Sequence, residues 1–232
     1  MEIFTLKLDK DYIRLKFNEI LSYVSEEKKY RINNFRNFDD VCRIMSADIL
    51  IRSILCNKTK THNSSLLFST NDYGKPYLKG NYVIDYNISH SAEWVVCGIC
   101  EGKIGIDVEK IEPISLDIAK SFFTNNEYLD LLSIEGTKRI DFFYELWTLK
   151  ESYIKAVGAG INISFNSFSI KIQDEIISFE SNDDKKKYLF GKFYVDNGYK
   201  AAFCSTSFEP YKIVTLRFDE MFEEFIASKF AK

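Results

Sequence analysis

Three carboxylates and a pair of lysines carry the chemistry of this sequence. Ile104-Gly105-Ile106-Asp107-Val108-Glu109-Lys110 is apolar at alternate positions, and a period of two predicts a strand. Residues i and i+2 of a strand share a face. Ile104, Ile106 and Val108 therefore face a core, and Gly105, Asp107 and Glu109 share the other side. Two carboxylates together on an interior strand repel, and burying them without a cation is costly. A metal ion, a Lys or an Arg is expected between them; a half-solvated strand with its acids in water is the alternative.

Glu151 supplies the third carboxylate, from a helix expected over 138–157. Its apolar stripe is Phe142, Leu146, Leu149, Tyr153 and Ala156. A second row, Phe143, Trp147, Lys150 and Ile154, is interrupted by Lys150, with Glu151 beside it. Charged groups so placed are expected to be partnered; Lys155, four residues after Glu151, could form a plain helix salt bridge. Asp107, Glu109 and Glu151 suit magnesium, which takes oxygen ligands, keeps some waters and shares itself with substrate phosphates. The only histidines are His62 and His90. No Ser-His-Asp pattern, dinucleotide fingerprint or Walker sequence stands in a suitable context. A metal-assisted reaction on a phosphate ester remains.

The elements that must position these groups follow from periodicity. A strand is expected over 2–8 and a helix over 11–24. Ser25 can cap a short basic helix bearing Lys28, Lys29 and Arg31, with Arg36 beyond. Arg43 sits near the start of a longer helix over 38–56. Clustered cations on adjacent helices can bind phosphate or form a solvated basic face. Strands are expected at 66–69, 82–88 and 94–100, with a turn over 71–76. Asn87-Ile88-Ser89-His90-Ser91 is taken as the joint between the latter two, leaving His90 a structural hydrogen-bonder or an anion donor. Short helices are expected at 115–122 and 125–132; Thr124 and Glu127 match a capping box. Strands are expected at 163–172, 175–180, 188–195, 199–206 and 212–217, then a peripheral helix over 219–230. Two similarly built halves, 1–103 and 104–232, would place a site between them.

Composition narrows the class. The 232 residues are 46% hydrophobic with a net charge of -3, so no global field points to nucleic acid or membrane. No apolar run approaches the roughly 20 residues of a membrane span, and the N-terminus lacks a signal-peptide pattern. Five cysteines, an odd number, predict reduced thiols and a cytoplasmic setting. Cys97 and Cys100 have zinc-like spacing without a second pair, and are expected to pack in a core.

Gly105-Ile106-Asp107-Val108-Glu109 and Trp147-x-x-Lys150-Glu151-Ser152-x-x-Lys155 resemble the two signature motifs of the 4′-phosphopantetheinyl transferases. Gly74-Lys75-Pro76, Asn87–Ser91, Phe122-Phe123-Thr124-x-x-Glu127 and Gly158-x-Gly160 match the larger, surfactin-synthetase-activating (Sfp-type) group. The likeness spans residues 1–220, with Arg31 where relatives often have Lys. It implies a pseudo-dimeric α/β (α+β) fold, each half a small antiparallel sheet with a long helix. It implies transfer of phosphopantetheine from coenzyme A to a serine of an apo peptidyl or acyl carrier protein. By the same resemblance Asp107, Glu109 and Glu151 hold Mg2+, or Mn2+. Lys28, Arg31 and Arg43 lie near the 3′-phosphate, Lys75 and Pro76 near the adenine, and Ser89, His90, Lys150 and Lys155 near the phosphates. Glu151, Glu127 or a metal-bound water takes the serine proton. Fusion of two halves predicts a monomer. A different metal-dependent phosphoesterase, or a coenzyme A-binding module without chemistry, are the other readings.

Overall fold

The structure is a computed structural model describing residues 1–174, 176–181 and 186–231. Residues 175, 182–185 and 232, which the expected 175–180 strand and 104–232 half include, lie outside the described residues. The chain opens with β1 (Glu2–Lys7), which buries Ile3 and Leu6. The single helix expected over 11–24 is two, α1 (Lys10–Leu15) and α2 (Phe17–Tyr23), broken at Lys16. Basic α3 (Glu26–Asn34) starts at Ser25, whose hydroxyl accepts from Lys28 N. Long α4 (Phe38–Thr59) is capped by Asn37 and has Asp39 and Asp40 in its first turn, where acids suit the helix dipole. A short hairpin, β2 (Phe68–Thr70) and β3 (Pro76–Leu78), precedes β4 (Asp85–Ser91) and β5 (Trp94–Cys100). Asn87–Ser91 is thus no joint but most of β4. The turn is Ala92-Glu93, with Ala92 at φ 47°. Polar residues at every second position made this strand look like a loop.

The second half begins with β6 (Ile104–Lys110), then α5 (Asp117–Phe122), α6 (Asn125–Ser133) and α7 (Lys138–Val157). Helix α7 stops at Gly158 in the left-handed region, φ 75°, where glycine is free of the Cβ penalty. Strands β7 (Phe168–Gln173) and β8 (Ile176–Ser181) pair as a hairpin. The expected start at 163 gives way to a short 3-10 turn, Phe165–Ser167. β9 (Leu189–Lys192), β10 (Tyr199–Ser205), β11 (Lys212–Arg217) and α8 (Phe218–Ala227) complete the order.

Besides the β2-β3 and β7-β8 hairpins, the described residues form two larger sheets, ordered β11-β1-β5-β4 and β6-β10-β9. The first corrects two expectations. β11 joins β1 in parallel, so this sheet is not purely antiparallel. Helix α8 is not peripheral: Phe218, Met221, Phe222 and Phe225 enter the core around α4. Residues 212–227 therefore complete the first half, and a division at 104–232 joins pieces of both cores. The second core gathers around Phe143, Leu146, Leu149 and Tyr153 of α7. A smaller core, including Ile3, Val96, Ile106, Val108 and Phe203, lies between the sheets. All five cysteines are buried and outside disulfides, and Cys97 and Cys100 pack in the core as expected. Among the described residues no helix is long and apolar enough to cross a membrane.

Candidate active site

The edges of the two sheets, β4 and β6, face each other without forming a backbone ladder. Side chains of β4 do the lacing. Asp85 accepts from Ile104 N at 3.0 Å and Asn87 Oδ1 from Ile106 N at 2.9 Å. Ser89 Oγ donates to Asp107 Oδ1 at 2.8 Å, and Ser91 Oγ donates to Glu109 Oε2 at 2.9 Å while accepting from Lys110 N at 3.1 Å. Residues 85, 87, 89 and 91 share a strand face, and each meets a successive position of β6. Each exposed edge covers the other, and the two candidate metal carboxylates are held from across the interface.

Helix α7 closes the cluster from above. It comes so close to β6 that a Cβ on Gly105 would stand 2.0 Å from Ser152 O and 2.3 Å from Ala156 N. That contact brings Glu151 and Lys155 to the acid face. Lys155 Nζ donates to Asp107 Oδ1 at 2.5 Å and to Ser89 Oγ at 3.0 Å. The expected cation between the acids is therefore a lysine as the side chains stand. Asp107 is 1% exposed, and its Oδ2 is buried with no hydrogen-bond partner. Burial, then the charge on Asp107, pushes Glu109 up to about 7. Glu151 is also raised, chiefly by burial and further by Asp107, against the pull of Lys155. Burial opposes the charge on Lys155, but Asp107, Glu151 and Glu109 together raise it above the ordinary lysine value. Among the described residues no group of three acids stands close enough to hold an ion without side-chain movement.

Glu127 and Lys150 are elsewhere. Their side chains are 2% and 0% exposed, and Lys150 Nζ donates to both carboxylate oxygens at 2.6 and 2.8 Å and to Phe168 O at 2.9 Å. Glu127 also accepts from Thr124 N and Ile170 N, each at 2.8 Å, and completes the capping box of α6. Burial pushes Lys150 down to about 8 against the attraction of Glu127. These two groups fasten α6, α7 and β7 together. Glu127 and Lys150 thus stand together in this buried network and not beside the acid cluster.

The cleft beside the cluster has a volume of about 550 Å³ and is lined by Tyr73, Pro76, Phe122, Glu151, Lys155 and Phe165, among others. Lys75 contributes backbone and stem, since its ammonium turns away to Asp85 at 2.7 Å and Ile104 O at 2.9 Å. Asn71 fixes this loop: its Oδ1 accepts from Tyr73 N and Lys75 N, and its Nδ2 donates to Gly158 O at 2.7 Å. His90 is exposed on β4. The packing around its ring, with Arg43 and Lys155 nearby, holds it below the ordinary histidine value. Arg43 binds Asp40 and donates to Ala92 O at 3.1 Å, at the turn two residues past His90. Lys28 and Arg31 lie on α3, and neither has an acid partner among the described residues. Sequence reasoning gave no role to Asn71, Asp85, Asn87 or Ser91. The period-two row of polar residues in β4 was the signal for the last three.

Residues 103–204 match the model of the 4′-phosphopantetheinyl transferase superfamily, and residues 13–101 match a 4′-phosphopantetheinyl transferase N-terminal model. 4′-Phosphopantetheinyl transferase Sfp of Bacillus subtilis (strain 168) is 36% identical over 223 residues, 95% of this chain and 100% of that protein. 4′-Phosphopantetheinyl transferase gsp of Aneurinibacillus migulanus is 37% identical over 235 residues, 100% of this chain and 98% of that protein. A holo-(acyl-carrier-protein) synthase from Bacillus anthracis, solved in complex with CoA (3′,5′-ADP), is 22% identical and covers 44% of this chain and 92% of its own, with a TM-score of 0.39. Both halves match, and the relatives are covered almost end to end: the chain belongs to the 4′-phosphopantetheinyl transferase family and is an enzyme of that class.

Proposed function

We propose that this enzyme transfers the 4′-phosphopantetheine arm of coenzyme A to a serine of an apo peptidyl or acyl carrier protein, releasing adenosine 3′,5′-bisphosphate, with a divalent ion at Asp107, Glu109 and Glu151. The observation that carries it is the gathering of Asp107, Lys155 and Ser89 where β4, β6 and α7 meet, with Glu109 on the same strand face, beside a cleft lined by Glu151 and Lys155. The donor set fits Mg2+, or Mn2+, which takes similar oxygen ligands. Asp107 Oδ2 is buried without a partner, and Glu109 and Glu151 are raised by burial and further by the charge on Asp107. When bound, such an ion supplies positive charge to the pyrophosphate oxygens.

The chain's own residues do the rest. The serine Oγ forms a bond to the phosphorus bearing pantetheine. The bond from that phosphorus to the bridging oxygen breaks, and its electrons leave on the nucleotide phosphate. Glu151, which lines the cleft, takes the serine proton as general base. Lys155 stabilises the charge developing on the phosphates. Lys28, Arg31 and Arg43 serve the 3′-phosphate through charge-assisted hydrogen bonds. His90, neutral near pH 7 when no anion is bound, donates to a phosphate oxygen. Glu127 and Lys150 act in the core and not on the substrate.

Intact mass of an apo carrier protein incubated with enzyme, coenzyme A and magnesium tests the reading. A mass gain of one phosphopantetheine, lost in chelator and in Asp107→Ala, is expected. Release of phosphopantetheine without an acceptor would make the protein a hydrolase instead. Metal-independent binding without turnover would make it a binding module. Trials with peptide-synthetase, polyketide-synthase and fatty-acid-synthase carriers identify the preferred acceptor.

A further inference from the structure

Helix α3 carries Lys28 and Arg31, which have no acid partner among the described residues, but is poorly anchored by apolar packing. Ile32 is its only buried residue. It is joined to α2 through Val24 and Ser25, both extended. What fixes the direction of α3 is a buried polar network below this link. Asp48 and Arg52 of α4 are 8% and 6% exposed. Arg52 Nε donates to Asp48 Oδ2 at 2.7 Å, and Arg52 Nη1 donates to Asn63 Oδ1 at 2.8 Å. The guanidinium lies 5.0 Å from the centroid of the Phe68 ring. The same Asp48 oxygen accepts from Ser25 N at 3.0 Å, and Asn63 Nδ2 donates to Tyr23 O at 3.3 Å. The network therefore grips the link on both sides, at the last residue of α2 and at the cap of α3.

A buried ion pair adds little net stability over apolar groups of similar volume, so stability alone does not account for it. Its bond to Ser25 N makes it a geometric device. We propose that Asp48 and Arg52 are positioning residues for coenzyme A: they orient α3 so that Lys28 and Arg31 meet the 3′-phosphate. This rests on the reading above that α3 serves that phosphate. Neither residue lines the cleft or touches the acid cluster, so the effect is confined to ground-state binding of the nucleotide. Uniform binding of this kind appears in KM and not in kcat.

The test compares coenzyme A with 3′-dephospho-coenzyme A in steady-state assays with one apo carrier protein. The double variant Asp48→Leu/Arg52→Met removes both charges together and leaves no unpaired ion. Ser25→Pro is a second variant: it removes the N–H donor along with the hydroxyl that caps α3, so it is measured against Ser25→Ala, which loses the hydroxyl alone; the φ of -62° at Ser25 suits proline. The double variant and Ser25→Pro, each against its reference, are expected to raise KM for coenzyme A about tenfold, equivalent to about 1.4 kcal/mol, with kcat per folded molecule and KM for the dephospho substrate unchanged. Asp48→Asn keeps an acceptor for Ser25 N and is expected to stay within about twofold of wild type. Equal rises in KM for both substrates, or no rise for coenzyme A, overturn the proposal. The control Lys28→Ala/Arg31→Ala separates the failures. If it discriminates the two substrates and the network variants do not, positioning is wrong while the phosphate reading stands. If the control itself does not discriminate, α3 does not serve the 3′-phosphate and both fall.

Discussion

Lys155 and Asp107 face each other across the contact of α7 with β6, their charged atoms 2.5 Å apart. The ammonium neutralises one oxygen of a buried acid whose other oxygen has no partner. Removing the acid should therefore cost catalysis far more than stability. Asp107→Asn is expected to lower turnover by about two to three orders of magnitude, the scale for losing one charge stabiliser at a reacting phosphate. Its melting temperature should stay within about 4 °C of wild type. Near-native transfer in magnesium, followed by intact mass, would remove Asp107 from the active site.

Glu109 makes metal-free stability depend on pH. Burial and Asp107 raise it to about 7 from 4.5, so between these values the folded state holds a proton that the unfolded chain has released. Stability rises with pH only where the unfolded state binds more protons. Here the sign is opposite: the contribution is fully present below about pH 4.5 and is lost as pH rises through about 7. Glu151 is raised in the same direction, chiefly by burial. Glu109→Gln removes its share of this dependence. Between about pH 5 and 7.5 in chelator, the variant should lose about 1–2 kcal/mol less than wild type, the full linkage value being reduced for partial solvent screening. Urea midpoints at the two pH values decide; equal losses in both proteins would mean that Glu109 titrates normally.

The Glu127–Lys150 pair should behave in the reverse way. Breaking a buried pair from one side strands a charge and costs about 3–5 kcal/mol. Lys150→Met is expected to fall in that range, while turnover per folded molecule stays within about threefold of wild type. Lys150→Met combined with Glu127→Leu should recover part of the lost stability. A Lys150→Met protein that melts normally but no longer transfers phosphopantetheine would return Lys150 to the reaction.

Gly105 is a packing requirement at the centre of the site. The nearest backbone atom is 2.0 Å from where an alanine Cβ would stand, and strand and helix backbone must separate to admit it. Gly105→Ala is expected to destabilise by about 2–3 kcal/mol, as overpacking does. It should also cut turnover about 10²-fold, because a shift of about 1 Å misplaces Glu151 and Lys155 relative to Asp107. Denaturant midpoints and transfer rates on the same preparation measure both.

Strongly periodic elements were legible in the sequence: β1, α4, β6, α7 and β10 lie close to where alternation or helical spacing predicts. Asp107, Glu109, Glu151 and Lys155 gather as their spacing implies, since i and i+4 share a helix face. Lys150 points elsewhere for the same geometric reason. Five residues of helix turn through about 500°, so Lys150 and Lys155 cannot both point into one cleft. Glu127 carried a local capping signal, and the capping box of α6 is formed. β4 was hard to see because its polar row serves β6 and not solvent. A hydrophobicity pattern cannot distinguish these partners. Nor does the sequence of β11 state which sheet it joins; its parallel pairing with β1 spans almost the whole chain.

That long-range pairing sets an order of assembly during synthesis. β1 and α4 leave the ribosome early, yet their sheet lacks β11 and their core lacks Phe218, Met221, Phe222 and Phe225 until residues 212–227 follow. β6, α7, β9 and β10 are all made before then. At about 5–20 residues per second, the roughly 100 residues between β6 and β11 delay completion of the first half by about 5–20 s. The half translated first is thus the half that finishes last, and its apolar α4 face is exposed to chaperones throughout that interval.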